Sequence, residues 1–97
     1  MNRGFKITGG KGFHITFDNG YTVSVQFGPG NYCDNYNMDI STQSDEAGKI
    51  GSTTAECAVW KDNGDLIAMP EWGGDTVSNR STPADVLRLL NWAASQP

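Results

Sequence analysis

A chain of 97 residues carries one hydrophobic core and no more, since a chain this short buries only about two thirds of its unfolded surface when compact. Hydrophobic residues make up 37% and aromatics 10%, so a few large rings must supply much of the burial; the formal charge of −4 disfavours a long nucleic acid, whose binding is driven by counterion release from phosphates. No apolar run approaches the roughly 20 residues of a membrane-spanning helix and the first residues lack a signal peptide's apolar stretch, so a soluble, cytoplasmic single domain spanning 1–97 is expected.

The first element is a short strand, Gly4-Phe5-Lys6-Ile7-Thr8, separated by Gly9-Gly10-Lys11-Gly12 from a stronger signal. Phe13-His14-Ile15-Thr16-Phe17 and Tyr21-Thr22-Val23-Ser24-Val25-Gln26-Phe27 alternate strictly on either side of Asp18-Asn19-Gly20, which reads as a β-hairpin. Asn19-Gly20 suggests a type I′ turn, with positive φ at both residues. Phe13, Ile15, Phe17, Tyr21, Val23, Val25 and Phe27 form one apolar face; His14, Thr16, Thr22, Ser24 and Gln26 point the other way, toward water or a partner.

Periodicity then lapses over residues 28–51, a long loop region of turn formers and glycine-flanked rings in which Met38-Asp39-Ile40 is the one strand-like run. Asp34, Asp39, Asp45 and Glu46 make it acidic. Residues 53–60 read as a strand, with Cys57 on the same face as Ala55 and Val59, and Trp60 either in the core or on the sheet surface. Lys61-Asp62-Asn63-Gly64-Asp65 turns the chain into a further strand at Leu66-Ile67-Ala68-Met69, ended or placed at an edge by Pro70, and Thr76-Val77-Ser78 reads as a last short strand. The C-terminal helix is well punctuated: Thr82 as N-cap, Pro83 first in the helix, Asp85 at the third position, and Val86, Leu89, Leu90 and Ala93 on one stripe. Trp92 lies off that stripe, and a ring left partly outside favours a subunit contact. The fold class expected is α+β: an antiparallel sheet of two hairpins or a meander, four to six strands, covered by one C-terminal helix.

Few residues offer chemistry. Cys33 and Cys57 are too few for a disulfide framework or a zinc site, and His14 is the single histidine. A Cys33–His14 dyad is the one nucleophile arrangement available, outside any recognisable catalytic motif. Asp34-Asn35-Tyr36-Asn37-Met38-Asp39 and Asp62-Asn63-Gly64-Asp65 cluster oxygens without the spacing of a calcium loop, and turn chemistry accounts for both. Gly28-Pro29-Gly30-Asn31 lacks the lysine and following helix of a phosphate loop. Its backbone N–H groups still suit a small anion, with Arg80, Arg88, Arg3 or Lys6 supplying charge and Tyr32, Tyr36 and Trp72 stacking on a base or filling a partner's pocket. The candidate binding residues are therefore Gly28, Gly30, Asn31, Tyr32, Tyr36, Trp72 and Arg80, with no catalytic residue, metal or cofactor expected.

The run from Gly12-Phe13 through Phe27-Gly28-Pro29-Gly30-Asn31-Tyr32-Cys33, together with Thr82-Pro83-Ala84-Asp85-Val86-Leu87, resembles small proteins encoded by tailed phages and prophages, over a third to a half of the chain. That resemblance implies a provenance, with no catalytic motif to carry over: a non-enzymatic accessory or anti-defence protein of the host-cell cytoplasm that acts by binding. The function expected is sequestration of a small, cyclic nucleotide signal at a subunit interface of a homo-oligomer. The alternatives are an acidic protein-binding inhibitor of a host nucleic-acid enzyme such as a defence nuclease, an enzyme using Cys33 or an acid pair, and a small virion component.

Overall fold

The computed structural model describes residues 3–9, 12–28 and 51–97. Five strands follow one another in space as they do in sequence: β1 (Gly4–Ile7), β2 (Gly12–Thr16), β3 (Thr22–Gln26), β4 (Ala55–Trp60) and β5 (Val77–Ser81), each antiparallel to the next. One helix, α1 (Pro83–Ala94), covers part of one face, which makes the fold the expected α+β arrangement. No helix among the described residues is long and apolar enough to cross a membrane.

The alternation of the β2–β3 hairpin sets its register. Phe13 opposes Val25 and Ile15 opposes Val23, and the same rows continue into β4 through Cys57 and Val59. The turn is not type I′. Gly20 N–H donates to the Phe17 carbonyl at 3.0 Å and Phe17 N–H to the Tyr21 carbonyl at 2.9 Å, a three-residue loop in which Gly20 alone takes a positive φ, 89°. A side chain at Gly20 would also strike the Asp62 carboxylate, 2.5 Å from an added Cβ. Asn19 keeps an ordinary φ because its side chain is used elsewhere. Its Nδ2 donates to the carbonyls of Ala93 and Gln96, both at 2.8 Å, and its Oδ1 accepts from Tyr21 N–H at 3.0 Å. The hairpin tip thus bonds the Ala93 carbonyl in the last turn of α1 and the Gln96 carbonyl just beyond the helix end.

The second half departs from expectation at one strand. Leu66 makes only an isolated bridge to Trp60, with Ile67 N–H donating to Val59 O at 2.8 Å, after which Met69 enters the core and Pro70 opens a 3₁₀ turn, Pro70–Trp72. The place beside β4 is taken by β5, which extends the short Thr76–Ser78 signal to Ser81. Cys57 opposes Ser78 while Ala55 opposes Ser81, so β5 holds one extra residue, a bulge in which Arg80 takes φ 49°. The strand then enters Thr82 directly. Thr82 Oγ1 accepts from Asp85 N–H at 3.2 Å and Asp85 returns a bond to Thr82 N–H at 2.8 Å, the reciprocal box anticipated from the sequence.

Val23, Val25, Ala55, Cys57, Val59, Met69, Leu89 and Ala93 are buried between the sheet and α1, with Val86, Leu90, Trp72 and Trp92 packed around them. Trp92 is half-buried within its own chain, edge-on to Tyr21 at 6.0 Å between ring centres, with Lys61 Nζ 5.5 Å above the Tyr21 ring.

Candidate binding site

Two clefts and one sheet face formed by described residues are places that could meet a ligand. The larger cleft, about 360 Å³, opens where the end of β3, the run into β4 and the first half of α1 diverge. Val25 and Ala55 form its floor, Pro83, Val86 and Leu90 its helix wall, and Phe27 and Leu87 belong to its lining as well. The capping box fixes the position of that wall, because β5 passes into α1 without a loop and the helix starts where Ser81, itself in the lining, ends. Val86 and Leu90 belong to the stripe that packs on the core; Leu87, one position off it, stays 59% exposed. The polar members are the hydroxyl residues Ser52, Thr53, Thr54 and Ser81, and among the described residues no charged side chain lines the cleft. Such a lining accepts an apolar group of side-chain size and offers a phosphate hydroxyl groups without positive charge.

The smaller cleft, about 170 Å³, is polar, formed by Glu71, Trp72, Ser78, Asp85 and Arg88. Arg88 Nε lies 3.3 Å from Glu71 Oε2, and its guanidinium also contacts Asp85. Arg88 is held more firmly protonated by Glu71 and then Asp85; the Thr82 N–H, and after it Arg88, keep Asp85 below the ordinary carboxylate range. One arginine between two carboxylates leaves the cleft net negative, so it repels a nucleotide phosphate.

The sheet face away from α1 carries His14 and Trp60, whose rings meet edge to face at 5.0 Å across β3. Beneath them Thr22 and Ser24 are buried, 7% and 8% exposed, which corrects the expectation that they point to water. Their hydroxyls are bound: Thr22 to Thr16 at 2.8 Å, Ser24 to Gln26 Nε2 at 3.1 Å, and Gln26 in turn to Thr8 at 2.7 Å. Among the described residues no buried side-chain polar atom lacks a partner, so this face presents no orphaned donor or acceptor. Burial and, secondarily, Lys6 lower the pKa of His14.

Of the residues singled out in the sequence, Gly30, Asn31, Tyr32, Tyr36, Cys33, the Met38–Ile40 run and the acids at 34, 39, 45 and 46 lie outside the described residues. The other three do not converge. Gly28 is buried beside Phe27 of the apolar cleft; Trp72 lines the polar cleft and packs on the core; Arg80 is exposed on its bulge and lines neither. Arg3 is paired with Asp62 at 3.5 Å. Asp62-Asn63-Gly64-Asp65 is a turn stabilised by Asn63, whose Oδ1 accepts from Asp65 N–H at 3.1 Å, and no group of three metal-ligating side chains occurs among the described residues. Cys57 is 1% exposed, and burial pushes its thiol up to about 11, the Ser81 hydroxyl pulling the other way, so it is an inert core thiol. The apolar cleft was missed from sequence. Its one signal was an apolar residue, Leu87, outside the helical stripe.

No protein-family model matches the chain, and neither a curated protein nor a solved structure does.

Proposed function

We propose that the chain works without catalysis as a protein-binding module, seating an apolar side chain of its partner in the cleft between α1 and the β3–β4 end of the sheet. The observation that carries this reading is the lining that the described residues give that cleft: apolar walls, four hydroxyl residues, no charged side chain among them, and Leu87 exposed beside it. Of the two binding roles raised by the sequence, the acidic inhibitor rests on the acids between 34 and 46, outside the described residues, and the nucleotide sponge on arginines that do not converge. The arginines nominated for phosphate are dispersed, with Arg88 held between two carboxylates and Arg3 on Asp62.

Burying one leucine- or phenylalanine-sized group contributes about 1.5–3 kcal/mol, on the order of 10- to 100-fold in affinity. The test is selection from a displayed peptide library on the immobilised chain, repeated with Leu87→Asp, alongside calorimetry with cyclic di- and trinucleotides. Expected are peptides sharing an apolar anchor, bound at least about tenfold more weakly by the variant. Heat from a cyclic nucleotide with no peptide enriched would overturn the proposal.

A further inference from the structure

We infer that β1 pairs with β1 of a second copy of this chain, antiparallel about a two-fold axis, joining two five-stranded sheets into one. The inference is independent of the cleft and rests on the opposite edge of the sheet from β5.

The backbone comes first. Thr8 N–H donates to Gly12 O at 3.1 Å, and continuing that register opposes Ile7 to Phe13, Lys6 to His14, Phe5 to Ile15 and Gly4 to Thr16. Antiparallel ladders alternate bonded and non-bonded pairs, so Lys6 and Gly4 direct their peptide groups toward β2. The N–H and C=O of Phe5 and Ile7 therefore face outward, on a strand whose one neighbour among the described residues is β2. The side chains tell the same story. Phe5 is 81% exposed and Ile7 80%, on the face that α1 occupies farther along, because the helix packs chiefly on β3, β4 and β5. Phe13 and Ile15, next in the same rows, are only half-buried. Solvated edge strands are ordinarily blunted by charge, proline or cover. Here the single charge, Lys6, sits on the other face.

A second copy is the occupant that this edge fits. Two outward-facing apolar residues at i and i+2 are self-complementary under a two-fold axis. Centring the axis on Phe5 sets Phe5 against itself with Ile7 diagonal to it and opposite Arg3, and Lys6 opposite Gly4; centring it on Ile7 sets Ile7 against itself with Phe5 diagonal and opposite Gly9, and Lys6 opposite Thr8. The register opposing Phe5 to Ile7 would set Lys6 against its own copy, which like-charge repulsion disfavours. Phe5 and Ile7 together expose on the order of 300 Å² of side chain per copy, hence about 600 Å² across the pair as a ceiling from these residues. That falls below the roughly 1,200 Å² of a firm interface, so the dimer is weak and reversible, dissociating on the order of 10–100 μM.

Sedimentation velocity across about 1 to 500 μM, which brackets that range, tests this on the wild type, Phe5→Ser and Ile7→Lys. Both side chains are exposed, so both variants keep the fold, as far-UV circular dichroism will verify. Expected is a wild-type mass rising from monomer toward dimer, with at least about tenfold weaker association in each variant, and concentration-dependent slowing of hydrogen exchange at the Phe5 and Ile7 amides. A wild type monomeric throughout overturns the inference. So does a dimer that survives both substitutions with those amides still exchanging freely.

Discussion

Asn19 is the place where a single side chain joins the hairpin to the helix, and its replacement has a calculable effect. In Asn19→Ala, the carbonyls of Ala93 and Gln96 lose donors at 2.8 Å and Tyr21 N–H loses its acceptor at 3.0 Å. At about 1 kcal/mol net for each neutral bond, and with water able to reach this half-buried corner, the loss is about 2–3 kcal/mol. Asn19→Asp is the sharper test. The carboxylate still accepts from Tyr21 N–H but turns an oxygen, in place of two N–H groups, toward two carbonyls at the negative pole of α1, adding about 0.3–1 kcal/mol of repulsion. At neutral pH the aspartate variant should therefore be about 2–3 kcal/mol less stable than the wild type, close to the alanine variant. Its folded-state pKa must be raised, so the folded state binds a proton more readily than the unfolded state, and stability relative to Asn19→Ala returns as pH falls through the carboxylate range. Urea unfolding followed by tryptophan fluorescence, at neutral and acidic pH, measures both effects. If Asn19→Asp matches the wild type at neutral pH, or its difference from the alanine variant does not change with pH, the clamp is not what holds the helix end.

Three further outcomes follow from the geometry. The Cys57 thiol is raised from 9.0 to about 11 by burial, so above pH 9 the unfolded chain loses this proton and the folded chain keeps it; stability should fall by about 2–3 kcal/mol between those values, an effect absent from Cys57→Ala, while the native thiol stays unreactive to a disulfide reagent at neutral pH. His14, whose pKa is lowered, takes its proton first in the unfolded state as pH falls through 6.5, so the stability of the wild type relative to His14→Gln should decline below that value and be constant above it, as urea midpoints at about pH 5 and 8 will show. At Arg80, φ 49° suits glycine, so Arg80→Gly should hold stability within about 0.5 kcal/mol while the β-branched Arg80→Val loses about 1–2 kcal/mol in thermal unfolding.

The proposed preference for an apolar partner group over a phosphate rests on electrostatics. A phosphate needs convergent positive charge or free N–H groups, whereas Arg3 and Arg88 are spent on carboxylates and the hydroxyls under His14 and Trp60 are spent on one another. Among the described residues the apolar groups left exposed include Leu87 beside the cleft and the edge residues Phe5 and Ile7.

The sequence by itself determined whatever depends on neighbours a few residues away. Period-two alternation specified the β2–β3 register, because a slip of one residue would turn Phe13, Ile15, Val23 and Val25 out of the core. The order Thr82, Pro83, Asp85 specified the helix start, because the capping box closes within one turn. Even Cys57 was legible as a core residue from its place between Ala55 and Val59. Tertiary structure decided the rest. Periodicity shows which side chains share a face and is silent on what covers it, so Thr22 and Ser24 became buried under a His14–Trp60 contact made across a strand, while Phe5 and Ile7, on the apolar face, lay beyond the end of the helix. Asn19 was read as a turn former, and its turn type was set instead by carbonyls more than 70 residues away. The Leu66–Met69 run has strand composition but lost its place to β5, since β4 has one free edge and a competition for it is settled by packing.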